Sequence, residues 1–322
     1  MERVTVAAVQ DAPVFLDREA TIARVAERTA EAAAKGAGLV VFPEAFVPTY
    51  PDWVWRTKAW SEEANRLYAR LLDQSVEVPG PATRALGAIA REHDLWLAIG
   101  VNERGAAGAT LYNTLLYFGP DGRLAGFHRK LMPTGGERLV WGQGDGASLT
   151  VLDTPFGRLG GLLCWENYMP LARAAMYAKG IDIYLAPTWD NSDVWVPTMR
   201  HVAREGRCWV VGVNFCMRGS DVPADVPGRD ALWGDEEDWM SPGNTVIVDP
   251  NGAIVAGPLV GERGILYAEL DAQKGRDWRM QFDPVGHYAR PDVFRLDVDE
   301  RPRSAADGDA DRLSADEGRA QG

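Results

Sequence analysis

The sequence predicts an α/β protein in which two sheets lie between layers of helices. Three observations carry this expectation. Strand-like runs alternate with helix-like runs along most of the chain. Several strands follow one another through short turns rather than helices, which is not strict βαβ repetition and fits sheets built partly as meanders. The 322 residues contain no internal repeat and suit one large α/β unit.

Residues 4–10 alternate as a strand. Residues 18–35 carry apolar side chains at helical spacing (Ile22, Val25, Ala26, Thr29) and stop before Gly36. Residues 39–42 form a short buried strand that ends at Pro43-Glu44, and an aromatic loop follows over 45–60. Helices are expected at 61–75 and 82–93, separated by the Pro79-Gly80-Pro81 breaker. Residues 95–102 and 111–118 read as strands, and Asp121-Gly122 turns the chain into 123–129 as a hairpin. Residues 131–147 are glycine-rich and irregular. Strands at 148–152 and 158–163 flank the Pro155-Phe156-Gly157 turn, and a helix over 167–179 is closed by Gly180. A strand at 183–186, a helix at 194–208 and a strand at 209–215 follow. A polar loop over 219–243 then leads to strands at 244–248, 253–256 and 264–270. From about Val298 large apolar residues nearly vanish. Residues 1–297 are therefore read as the folded domain and 298–322 as a disordered tail.

Composition narrows the function. Apolar residues make up 46% and charged residues 25%, as in ordinary soluble enzymes. A net charge of −12 repels phosphate backbones, so nucleic acid is not an expected partner. No apolar run reaches the roughly 18 residues a membrane span needs. The opening MERVTVAAVQ lacks the apolar core of a signal peptide, so a cytoplasmic protein is expected. The cysteines are Cys164, Cys208 and Cys216, too few and too irregularly spaced for a disulfide framework or zinc site. The four histidines show no metal-binding spacing either. No cofactor motif is present: GQGDG (142–146) follows no βα fingerprint, and there is no P-loop and no GxSxG.

Cys164 lies where a strand ends and a helix soon begins. That is the setting of a nucleophile elbow, with the side chain exposed at the sheet edge and a helix N-terminus nearby to favour a thiolate. Cys208 and Cys216 read as structural. A cysteine nucleophile needs a base, and no histidine has a persuasive context, which leaves a carboxylate. Glu44 follows the buried run LVVFP at a strand end, where α/β folds build active sites. Glu137 lies seven residues after Lys130, which itself ends the strand LAGFHRK. Taken alone, Glu44 and Glu137 read first as solvated or salt-bridged acids and Lys130 as an ordinary surface lysine.

Taken together, Phe42-Pro43-Glu44, the run HRKLMPT (128–134) and Cys164-Trp165-Glu166-Asn167 resemble the nitrilase superfamily in order and context, over about residues 4–295. ERLVWGQGDG (137–146), GGLLCWENYMPLARAAMYAKG (160–180) and GHYARPD (286–292) are similar to its nitrilase branch. The resemblance implies a four-layer αββα sandwich that pairs into homodimers and extends into spiral homo-oligomers. It implies Cys164 as nucleophile, Glu44 as general base, Lys130 as transition-state stabiliser and Glu137 as a structural or assisting glutamate. The implied reactants are a small-molecule nitrile and water, with no metal or organic cofactor.

Twelve tryptophans stand out. Tyr50, Trp53 and Trp55 follow Glu44, and Trp165 and Trp189 fall near the family's pocket segments. Tyr50, Trp53, Trp165 and Trp189 are expected to contact substrate, although core or subunit packing is an equal reading. Three other functions compete: an amidase or carbamoylase, against which Trp165-Glu166 argues; a cyanide-degrading relative; and a non-catalytic binding or assembly protein. The last would be indifferent to loss of Cys164.

Overall fold

The computed structural model describes residues 1–106, 108–234 and 237–302. Strand β1 (Val4–Gln10) leads to helix α1 (Arg18–Ala34), whose first turn is capped by the Asp17 carboxylate accepting from Ala20 N–H. Strand β2 (Leu39–Val41) follows. After an aromatic loop come helix α2 (Glu62–Gln74), capped by Ser61, and strand β3 (Val76–Glu77). Helix α3 (Pro81–Glu92) starts on Pro81, where the missing N–H costs nothing. Strands β4 (Trp96–Arg104), β5 (Leu111–Phe118) and β6 (Leu124–Arg129) then run antiparallel in sequence.

The second half repeats the scheme. Strands β7 (Val151–Thr154) and β8 (Gly157–Gly161) form a hairpin, followed by helix α4 (Pro170–Ala178), strand β9 (Ile183–Thr188), helix α5 (Trp195–Gly206) and strand β10 (Trp209–Asn214). A small excursion holds β11 (Met217–Arg218), α6 (Arg229–Trp233) and β12 (Trp239–Ser241). Strands β13 (Gly243–Val248), β14 (Ile254–Val260) and β15 (Gly264–Leu270) and helix α7 (Ala272–Trp278) complete the domain.

The first sheet has the order β15-β1-β2-β4-β5-β6, with β3 on β4, and the second β14-β13-β10-β9-β8-β7. Each is parallel at its centre and antiparallel at its edges. Alternation along a strand sorts its side chains between two cores. In β1, Val4, Val6 and Ala8 join a cluster with Leu159, Leu185, Val211 and Val213 of the other sheet, so this core lies between the sheets. Ala7 and Val9 point the other way, to a core with Val25 of α1 and Leu86 of α3. Tyr184, Ala186 and Val210 face Met176 of α4 and Met199 of α5. The layers are therefore helix, sheet, sheet, helix, as expected. Gln10 ties the two sheets: its Oε1 accepts from Thr245 N–H at 3.0 Å, and its Nε2 donates to Leu259 and Glu262 carbonyls.

Several local expectations need correction. The helix expected from Asn167 starts at Pro170. Residues Cys164–Tyr168 instead form a 3-10 turn, in which Asn167 Nδ2 donates to the Leu162 and Cys164 carbonyls. The strand expected from Ser148 starts at Val151, because Asp145 caps a short turn at Gly146–Ser148. The strand expected at 253–256 extends to Val260. The polar loop at 219–243 contains α6, anchored by the Trp233 indole donating to the buried Asp52 carboxylate at 2.9 Å. Of the segment expected to be a tail, residues 298–302 are described. Val298 packs on the α4 core and Glu300 pairs with Lys179 at 2.8 Å. The remainder lies outside the described residues. Among the described residues no helix is long and apolar enough to cross a membrane.

One glycine positions the site. A Cβ on Gly100 of β4 would lie 2.4 Å from Glu44 Cα and 2.3 Å from Ala45 N. The backbone of the Glu44 turn thus rests directly on β4, tied by Gly100 N–H to Pro43 O at 3.1 Å. Gly100→Ala should destabilise the fold by about 1–3 kcal/mol and displace Glu44. A thermal melt at the unaltered temperature would show that the turn has slack.

Candidate active site

Glu44 follows β2, Lys130 follows β6, Cys164 follows β8 and Thr188 ends β9. In each sheet the two strands concerned run in the same direction, so their C-terminal ends meet at one end of the sandwich. Loops beyond strand ends are where α/β sheets gather ligands and chemistry. Glu137 arrives on a 3-10 turn, Gly135–Leu139, inside the glycine-rich loop.

The four expected residues converge. Lys130 Nζ lies 2.8 Å from Glu137 Oε2 and 3.3 Å from Glu44 Oε2. Acceptor atoms of Glu44 and Glu137 and the Cys164 sulfur lie within 4.8 Å of one another. All four side chains are buried. Two carboxylates and a thiol at this spacing are a metal-ligand set by distance alone. Here the Lys130 ammonium occupies the place of a cation between the carboxylates.

Each carboxylate is held from several sides. Glu44 Oε2 accepts from Asn113 Nδ2 at 2.7 Å, and Oε1 from the Trp189 backbone N–H at 2.7 Å. Glu137 Oε2 accepts from Thr134 N–H at 2.6 Å, and Oε1 from the Tyr50 hydroxyl at 2.8 Å. The Cys164 side chain lies beside the Glu44 carboxylate and the Thr188 hydroxyl. Both residues at the two key turns adopt left-handed backbone: Cys164 at φ 51° and Ala45, directly after Glu44, at φ 46°. Such geometry costs about 1–3 kcal/mol per non-glycine residue and persists only where the surroundings enforce it. Asn102 does so at Ala45, its Nδ2 donating to Val47 and Thr49 carbonyls at 3.2 and 2.8 Å, while its Oδ1 accepts from Trp141 Nε1.

The electrostatics follow from burial. Burial raises the Glu44 carboxyl above its ordinary range, and Glu137 adds to this while Lys130 opposes it. Burial would strip the Lys130 proton, but the two carboxylates outweigh it and hold the ammonium well above its ordinary range. Burial, with Glu44 adding, pushes the Cys164 thiol well up despite Lys130. This corrects two expectations. The side chain is buried rather than exposed, and the resting sulfur is a thiol rather than a thiolate, because α4 begins only at Pro170 and burial dominates.

The aromatic candidates divide. Tyr50 stacks face to face on Trp189, with centroids 4.5 Å apart and planes 6° apart, so these two belong to the carboxylate scaffold. Trp55 donates from Nε1 to the Tyr50 hydroxyl at 3.1 Å. Trp53 is buried against Phe15 and lines an apolar cavity of about 230 Å³ with Trp60, Tyr68 and Leu139. Trp165 is half-exposed, its indole donating to Asp190 at 3.0 Å. Reading the sequence missed Asn113, Asn102 and Thr188, which touch the site only through sheet register. It also set aside His128, which is buried and paired with Glu166 at 2.9 Å.

The two sheets thus carry a buried Glu-Lys-Cys cluster at their shared end. The carbon-nitrogen hydrolase family profile matches residues 5–280, and the chain belongs to that family. It is 48% identical over 308 residues to the aliphatic nitrilase of Sinorhizobium fredii (strain HH103), covering 95% of this chain and 98% of that protein. It is 42% identical to nitrilase 1 of Arabidopsis thaliana, covering 94% and 88%. With the bifunctional nitrilase/nitrile hydratase NIT4A of Nicotiana tabacum it shares 44% over 90% and 84%. Among solved structures, a carbon-nitrogen hydrolase from Helicobacter pylori superposes with TM-score 0.72 at 22% identity, covering 91% and 97%, a likeness of fold.

Proposed function

We propose that the chain hydrolyses an organic nitrile to the carboxylic acid and ammonia. The observation that carries this is the buried Glu44–Lys130–Cys164 contact set, and the names of its 42–48% identical relatives support the nitrile as substrate. Glu44 takes the thiol proton as Cys164 Sγ bonds to the nitrile carbon. Glu44 passes that proton on to the nitrogen, giving a thioimidate and freeing its carboxylate, while Lys130 and the backbone N–H after Cys164 stabilise the developing charge. Water adds to the thioimidate carbon, losing a proton to Glu44. Glu44 hands that proton to the nitrogen, and the tetrahedral carbon, giving up its hydroxyl proton to the same nitrogen, expels ammonia and becomes a thioester. A second water adds to the thioester, and breaking the C–S bond frees the acid and returns a proton to sulfur. A resting thiol suits this scheme, because the proton leaves only when substrate is there to accept the sulfur. Glu137, fixed by Tyr50 and Thr134, keeps Lys130 on Glu44.

The three cysteines are free thiols, which fits work in a reducing cytoplasm. Met280, Tyr288 and Phe294 project exposed from the segment after α7, and β14 exposes Val255 and Val260. Both are apolar surface that a second copy would cover, which supports a homo-oligomer.

The test is ammonia release from aliphatic, aromatic and arylaliphatic nitriles, the matching amides and cyanide. Acid and ammonia from organic nitriles are expected. Turnover of amides alone would move the chain to the amidases. Amide as a side product would match the bifunctional relative. Glu44→Gln keeps the shape and most hydrogen bonds but removes the base, so kcat should fall about 10²–10⁴-fold. A fall under tenfold would remove Glu44 from proton transfer.

A further inference from the structure

Glu166 and His128 form a fully buried pair that no step above uses. The Glu166 carboxylate is saturated. Oε1 accepts from Leu131 N–H at 2.7 Å and Oε2 from Leu163 N–H at 2.8 Å, with His128 Nε2 2.9 Å from Oε2. The two backbone donors are telling. Leu131 directly follows Lys130, and Leu163 directly precedes Cys164. One carboxylate thus joins the backbone carrying the ammonium, from the first sheet, to the backbone carrying the thiol, from the second. His128 Nδ1 lies 2.9 Å from the Ser148 carbonyl, so both ring nitrogens face acceptors and the ring is an imidazolium. Its charge balances Glu166 in a place where a lone carboxylate would be costly.

We propose that Glu166 is a positioning residue: it sets Cys164 and Lys130 in one frame across the two sheets, with His128 as its fixed counter-ion. The proposal rests on the catalytic reading of Cys164 and Lys130, and it explains what holds Cys164 at its left-handed backbone angle. Misplacement by about 1 Å costs on the order of 10² in rate even when no reacting group is lost. Glu166→Gln offers an NH2 group where an N–H must be accepted, so one of the two backbone ties breaks while the volume stays.

The experiment compares full-length unaltered protein, Glu166→Gln and His128→Gln. Three quantities are read: the melting temperature, kcat and KM on an organic nitrile, and the rate at which iodoacetamide alkylates Cys164, located by peptide mass. In Glu166→Gln, kcat should fall about 10²-fold with KM within about threefold, and alkylation should slow about tenfold, as the thiol loses its alignment with Glu44. His128→Gln keeps both backbone ties and should lose about tenfold in kcat; it carries the test if Glu166→Gln does not fold. A folded variant that is alkylated and turned over within about twofold of the unaltered protein overturns the proposal. If the unaltered protein releases no ammonia from any nitrile, the nitrile reading fails, and the alkylation arm still decides the positioning role.

Discussion

Lys130→Met is expected to abolish turnover and to leave a protein that loses stability as pH rises. Methionine fills most of the lysine's volume, so the effect isolates the charge. In the unaltered protein one ammonium lies 2.8 Å from Glu137 and 3.3 Å from Glu44. Without it, two buried carboxylates remain with acceptor atoms within 4.8 Å and no counter-charge. Breaking a buried ion pair by deleting one partner costs on the order of 3–5 kcal/mol, and proton uptake is the cheapest relief. Burial and Glu137 already hold Glu44 above its ordinary range, and Lys130 is what restrains it. In the variant the folded pKa rises further. A group with a raised folded pKa contributes stability that is full below its unfolded pKa and is lost as pH climbs through the folded one. The variant's melting temperature should therefore fall from about pH 5 to about pH 8 more steeply than that of the unaltered protein. In the unaltered protein Lys130 is held charged well above its ordinary range, so the carboxylates keep their shared counter-charge across that window. Turnover should drop by at least 10²–10³-fold, the order of losing a donor to developing charge. Parallel pH curves for the two proteins would show that Lys130 is not the counter-ion of the carboxylates.

How much of this site was legible in the sequence depends on how locally each part is determined. Glu44, Lys130 and Cys164 each follow a strand whose end is marked in the adjacent residues, which made them candidates, and the resemblance of Phe42-Pro43-Glu44, HRKLMPT (128–134) and Cys164-Trp165-Glu166-Asn167 to the nitrilase superfamily is what singled them out. The contacts that hold them could not be found this way. Asn113 reaches Glu44 across 69 residues and Glu166 reaches His128 across 38, and both depend on strand register, which no short-range pattern states. His128 looked unpersuasive because its partner lies in the other half of the chain. The layered fold was partly hidden for a related reason. Strands covered on both faces are apolar on both, so the sequence of β1 does not say that Val6 and Ala8 meet the other sheet while Ala7 and Val9 meet the helices. The aromatic loop showed that Tyr50 mattered but not how: its hydroxyl is committed to Glu137 and its face to Trp189. The late start of α4 turned on whether the chain would enter a helix before Pro170. Asn167 settled this by closing a 3-10 turn over Cys164.

Cys164→Ala should bring nitrile turnover below detection, a loss of at least about 10⁴-fold, while the protein folds as before. The loss should be near-total because no other thiol can substitute. Burial holds Cys208 up to about 12 and Cys216 up to about 11, and neither is among the groups that gather around Glu44 and Lys130. The fold should tolerate the change because alanine keeps the Cβ and meets the same backbone demand at φ 51°, with Asn167 still bonded to the carbonyl of residue 164. Removing a thiol confined beside two carboxylates also relieves crowding of polar groups, so the melting temperature should hold or rise slightly. That direction is expected where a group serves chemistry at some cost to stability. Intact-mass spectra during turnover give a second readout: an acyl adduct can form on the unaltered protein but not on the variant. Turnover within tenfold of the unaltered protein would place the nucleophile elsewhere, and a lowered melting temperature would make Cys164 a structural member of the cluster rather than its reacting atom.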